Sequence, residues 1–209
     1  MLFDFDRIDA KDQYKLLTHT IVPRPIAWVV SVGRDGRRNA APFSFFGVAC
    51  ADPPVLCIGI TARAPHGKDT PRHIRETGEF VVNLVPHAAL EAMHVTAVEF
   101  VDGTDEVSAA GLSVRPSAKV APPRIAESPV AFECRLMQAT PMGTGHTIVL
   151  GRVVAVHVDD EAVIDAGKCY IDTLRLDLIA RMHGRAEYLR ANSSFHCPRV
   201  TLEEWLASG

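Results

Sequence analysis

Pro23-Arg24-Pro25-Ile26-Ala27-Trp28-Val29-Val30 ends in an apolar, β-branched run, and Asn39-Ala40-Ala41-Pro42-Phe43-Ser44-Phe45-Phe46 follows after Gly33-Arg34-Asp35-Gly36. The glycines and aspartate between the two blocks supply turn chemistry, so the blocks are expected to form a hairpin. The second block leaves its strand through Pro42 and small residues. Backbone N–H groups from Ala41 to Phe45 and the Ser44 hydroxyl can then approach a planar ligand without bulky side chains in between. Further on, Lys68-Asp69-Thr70-Pro71 reads as an anion site. Thr70 suits an N-cap and Pro71 the first helical position, which would leave free N–H groups and the positive helix end near residues 70–73. Lys68 adds a full charge there, and a phosphate monoester fits such a place.

Short β-like runs punctuated by Gly, Pro and polar residues recur along the rest of the chain. That pattern belongs to a barrel or sandwich and not to alternating βαβ units. Strands are expected near 25–32, 37–48, 54–61, 79–85, 129–140, 146–158 and 185–190. Helices are expected over Ala10–Leu17, Pro71–Thr77, His87–Val98 and Thr201–Ala207, the second closed by Gly78. Pro116 to Pro129, with four prolines, reads as a connecting segment wrapped over the surface. The expected organisation is one domain over residues 1–209, mainly β with peripheral helices, a helical N-terminal lead and a C-terminal tail.

These blocks resemble the flavin reductase-like family of FMN-binding split β-barrels, in particular its flavoredoxin-like branch. The likeness runs from about Tyr14 to about Tyr188. It includes Asp52-Pro53-Pro54, Glu76-Thr77-Gly78-Glu79-Phe80-Val81-Val82-Asn83 and Pro122-Pro123-Arg124-Ile125-Ala126-Glu127-Ser128-Pro129. The resemblance implies FMN, with FAD as the other candidate, and NAD(P)H as hydride donor. It also implies a homodimer that shares its flavin site and passes electrons to an acceptor, which could be a protein. By the same likeness Arg24, Pro25, Ile26 and Ala27 line the flavin, and Asn39 enters the pocket. Lys68, Asp69 and Thr70 meet the phosphate, Asn83 lies on the next strand, and His183, Arg185 and Tyr188 approach from the C-terminal part. His94 stands where relatives often carry Asn, and Trp28 where aliphatic residues are common.

Composition sets outer bounds. With 209 residues and 47% hydrophobic content the chain can bury a substantial core. A net charge of −3 provides no field favouring nucleic acid or an anionic membrane. Asp4, Asp6, Asp9 and Asp12 are the opposite of a basic leader, no run reaches a membrane span, and five scattered cysteines suggest a reduced cytoplasmic protein. Gly67-Lys68 fails as a Walker loop, since Ala62 and Asp69 stand where Gly and Ser or Thr are needed. Gly143-Thr144-Gly145 fails as a dinucleotide fingerprint at Ile148. No zinc-like spacing and no nucleophile elbow occur. The residues therefore leave three readings: a flavin-dependent oxidoreductase, an FMN-binding electron carrier or flavin-binding protein that uses no nicotinamide, and a barrel module without cofactor.

Overall fold

In the computed structural model, which describes residues 1–61, 69–100, 104–184 and 186–207, the expected hairpin forms from Ala27 opposite Phe43 to Val32 opposite Arg38. Gly36 takes φ 80°, a left-handed conformation that glycine adopts without a Cβ penalty. The Gly33 N–H closes the turn on Arg37 O at 2.9 Å.

The N-terminal half contains α1 (Ala10–Thr20), β1 (Arg24–Pro25), β2 (Ala27–Val32), β3 (Arg38–Phe43), β4 (Phe45–Ala51), β5 (Pro54–Thr61), α2 (Asp69–Thr77) and β6 (Glu79–Leu84). The 3-10 turn His87–Ala89 leads into α3 (Leu90–Val95), followed by α4 (Glu106–Ala109), β7 (Val114–Arg115) and β8 (Arg124–Ile125). The long hairpin β9 (Val130–Pro141) and β10 (His146–Val158) precedes β11 (Val163–Asp165), β12 (Tyr170–Ile171), β13 (Ile179–Arg181), β14 (Tyr188–Arg190) and α5 (Leu202–Ala207).

Seven strands form one sheet in the order β3-β2-β6-β9-β10-β5-β4. Its two edges, β3 and β4, are consecutive in the chain and separated by Ser44 alone. The edges must therefore meet at Ser44, so the sheet curls into a barrel that is open along a split with Ser44 at its apex. Inside lie Ala27, Val29, Ala41, Phe43, Ile58, Phe80, Val82, Cys134 and Val149, with Ile74 of α2 plugging one side. Phe80 fits because Gly151 faces it; a Cβ there would collide with the ring. Burial pushes the Cys134 thiol up to about 12, so it behaves as a packed apolar group. On the opposite face of β2 and β6, Trp28, Val30, Val85, Met93, Val107 and Ile125 form a second core under α3 and α4.

Some expectations change for local reasons. The single strand over 37–48 is two strands broken at Ser44. α1 continues to Thr20, where the hydroxyls of Thr18 and Thr20 donate to Tyr14 O and Leu16 O. The helix over His87–Val98 is shorter than expected: Thr96 turns its hydroxyl onto Met93 O (2.8 Å) and serves as C-cap. α4 was not anticipated, although Asp105 caps it by accepting from Val107 N and Ser108 N. β13 was also missed. It is three residues long and pairs with β1 on one side and β14 on the other.

The proline-rich segment does run over the surface, and two carboxylates tie it down. Glu133, fully buried, accepts from Ala118 N (2.7 Å), Lys119 N (2.6 Å) and His157 Nε2 (2.5 Å). Glu79 accepts from Ala121 N at 2.8 Å.

Candidate functional site at the apex of the split

Arg24, which the family likeness sets against the flavin, is a buried hub, 8% exposed. Its guanidinium donates to Thr18 O (2.6 Å) and Ile21 O (2.9 Å) at the end of α1 and to Met182 O (2.8 Å) beyond β13. Helix carbonyls with no partner of their own are thereby satisfied. Among the described residues its buried Nε has no partner, which leaves one donor uncommitted. Pro25 is exposed beside it, Ile26 packs into the second core, and Ala27 lines the barrel.

β1 packs against β4, which brings Arg24 to the apex. Ala40 N donates to Glu106, away from β2, so the alternation of an edge strand turns Pro42 and the N–H of Ser44 outward as well. Pro42 suits that edge because it has no donor to satisfy. Among the described residues the Ser44 hydroxyl has no partner. Phe45 and Phe46 alternate along β4, while the break at Ser44 sets Phe45 on a different face from Phe43. Phe43 and Ala41 point into the barrel and Phe46 packs on its core, while Phe45 is 41% exposed with its ring 6.2 Å from that of Tyr14 on α1.

Asn39 and Thr70 lie together at the other end of β3. Thr70 is fully buried in the first turn of α2, so its hydroxyl does not cap that helix. With the Asn39 amide oriented to complement its neighbours, its oxygen accepts from Thr70 Oγ1 (2.7 Å) and its nitrogen donates to Glu106 Oε1 (3.1 Å). Burial pushes the Glu106 carboxyl up, and Asp69 and Asp105 push the same way against the hydrogen bond from Ala40 N. Asp69 itself pairs with Arg72 at 2.5 Å, so that arginine already has a partner. Lys68 and Arg185 lie outside the described residues.

Asn83 is fully buried and spent on structure: it donates to Trp28 O (3.0 Å) and accepts from Ile125 N (3.0 Å). Trp28 is equally buried, its Nε1 donating to Thr96 Oγ1 at 2.9 Å. Tyr188 bonds His94 through its hydroxyl (2.8 Å) and carries Arg181 over its ring at 4.7 Å. His183 stands at the edge of the same hairpin, paired with Glu187 at 2.8 Å and with its ring 4.9 Å from that of His19. Thus Arg24, Pro25, Ser44, Phe45 and the β13–β14 hairpin gather around the apex. Asn39, Asp69 and Thr70 form a separate cluster five residues along β3, roughly 16 Å away at strand rise.

The family model described as flavin reductase like domain matches residues 18–172. The chain belongs to that family. Component B of nitrilotriacetate monooxygenase from Bacillus cereus is 32% identical with a TM-score of 0.88, covering 94% of this chain and 98% of that one. The 2-nitrobenzoate 2-nitroreductase of Pseudomonas fluorescens is 30% identical with the same TM-score of 0.88, covering 97% and 98%. A Shewanella frigidimarina protein described as a flavin reductase with a split barrel domain shares the fold at 22% identity and a TM-score of 0.81, covering 96% and 100%.

Within this flavin reductase-like split barrel, sequence reasoning passed over Glu106, Arg181 and the carbonyl of Met182. Glu106 sits in a short stretch without periodicity, and Arg181 in a strand of three residues. The carbonyl carries no sequence signal at all. Only Asp105 followed by a short helical turn could have pointed to α4.

Proposed function

We propose that this chain is an FMN-binding oxidoreductase in which NADH or NADPH reduces the flavin and the electrons pass on to a protein, oxygen or a small acceptor. The observation that carries this reading is the pair of uncommitted polar groups at the apex, Arg24 Nε and the Ser44 hydroxyl, beside the outward N–H of Ser44. They fit the polar edge of a planar cofactor. Flavin would supply hydride acceptance and electron release, which this chain's own side chains lack. The protein's part is to bind and orient. Arg24 and the segment from Ala41 to Phe45 hold the ring, and Phe45 with Tyr14 shields it from water. The first turn of α2 at Asp69 and Thr70 receives the phosphate, Asn39 fixing that turn through Thr70, and Lys68, the preceding residue in sequence, supplies the positive charge. The separation of the two clusters along β3 suits an extended mononucleotide. Membership of the family supports a flavin ligand, and two neighbours at 30% identity or more are by description a monooxygenase component and a nitroreductase.

The test is the visible spectrum of the purified protein, kept without oxygen, before and after each nucleotide. We expect bands of oxidised flavin that NADH or NADPH bleaches. Flavin bands that only dithionite bleaches would assign the protein as a carrier; no bands after incubation with FMN would overturn the flavin reading itself.

Assembly belongs to the same proposal. Val48 on edge strand β4 is 77% exposed and Met137 on β9 is 53%. Apolar groups on an open edge and on the outer sheet face are covered in stable proteins by a partner. We expect a homodimer at micromolar concentration, with twice the 22.8 kDa chain mass by equilibrium sedimentation. A monomer that still binds FMN stoichiometrically would overturn the shared site. Five unpaired cysteines fit a reducing compartment such as the cytoplasm.

A further inference from the structure

A second cavity, of about 300 Å³, opens on the outer face of the sheet between the β7–β8 ribbon and the end of β10. Arg115 and Arg124 stand directly opposite each other in that ribbon. Like charges so placed repel, and no carboxylate among the described residues pairs with either. Among the described residues the one side-chain hydrogen bond of Arg124 runs from Nε to Pro116 O, at 3.2 Å. Asp159 and Asp160 also line the cavity, and they too lack an ion-pair partner. Asp159 occupies the N-cap of a 3-10 turn without using its side chain to cap it. Cations and anions thus line one cavity without meeting. His157 adds an oriented ring: its Nε2 is held at 2.5 Å by the fully buried Glu133, which leaves Nδ1 as its remaining polar atom. Ile125, Pro129 and Val156 contribute apolar lining.

We propose that this cavity binds a small zwitterion, with its carboxylate on Arg115 and Arg124 and its ammonium on Asp159 and Asp160. Taken as a sphere, the volume is about 8 Å across, at the small end of ligand sites. The charges of the ligand therefore stand several bonds apart, as in an ω-amino acid, and its methylene chain covers the apolar lining. A simple anion would meet the aspartates, and a simple cation the arginines. The site is independent of the flavin reading.

The experiment follows the imidazole NMR signals of His157, assigned with His157→Gln, on adding 6-aminohexanoate to the full-length protein with and without FMN. We expect a saturable shift that FMN leaves in place. Hexanoate, hexylammonium and glycine should bind at least about tenfold more weakly, because each loses one set of charge-assisted contacts. Arg124→Met and Asp160→Asn should each weaken 6-aminohexanoate by about tenfold, with melting temperatures near that of the parent. Hexanoate binding as well as 6-aminohexanoate would overturn the proposal, as would tighter binding by Asp160→Asn. So would the lack of a saturable shift up to tens of millimolar.

Discussion

Arg24→Met is expected to lose about 3–5 kcal/mol of folding stability, because it strands three carbonyl acceptors at about 1–3 kcal/mol each. Methionine keeps the stem and most of the volume, so the loss falls on the hydrogen bonds to Thr18, Ile21 and Met182. These bonds tie the end of α1 to strand β1 and to the turn after its sheet neighbour β13. Without them Tyr14 no longer holds its place beside Phe45, and flavin content should fall with stability. Arg24→Lys should recover only part, since one ammonium cannot span acceptors that a planar guanidinium reaches together. Urea unfolding at unchanged slope, read beside the visible absorbance of bound flavin, checks both effects. A substitution that costs under about 1 kcal/mol would show that water replaces the guanidinium at these carbonyls.

Glu133→Ala should cost about 1–3 kcal/mol, by leaving Ala118 N, Lys119 N and His157 without their acceptor. Glu133→Gln supplies the pH signature. Burial works against the ionised carboxylate, but the hydrogen bonds from Ala118 N, His157 and Lys119 N outweigh it and hold the group below its usual range. A carboxyl whose folded value is lowered contributes stability that is complete above the unfolded value, about pH 4.3, and is lost as pH falls through the folded value. The parent protein should therefore lose stability on acidification from about pH 5 downward. Glu133→Gln, already weaker at neutral pH, should lose less over the same interval. Thermal unfolding between pH 7 and pH 3 measures the difference, and parallel curves for the two proteins would assign the acid loss to other carboxylates.

Much of this was legible in the linear chain because it depends on neighbours in sequence. The turn from Gly33 to Gly36, the closure of α2 at Gly78 and the alternation of exposed Phe45 with core-packed Phe46 along β4 are all local. Spacing and order of the blocks then narrowed the fold to a flavin reductase-like barrel. What the chain could not show is where side-chain hydrogen bonds end. Nothing in the sequence shows that Arg24 bonds the carbonyls of Thr18 and Ile21 nearby and of Met182 far along the chain, or that the Asn83 amide bonds Trp28 and Ile125. Thr70 looked like a cap and instead serves Asn39. The same holds for Ser44, read as one residue inside a strand. Its place at the apex exists only because β3 and β4, adjacent in the chain, become opposite edges of a sheet closed through five other strands. Turns and strand faces follow from one residue's own conformation and its nearest neighbours, so sequence alone determined them. The partners of buried polar groups depend on which segments the closed barrel brings together from far apart in the chain, and only the tertiary structure decides that.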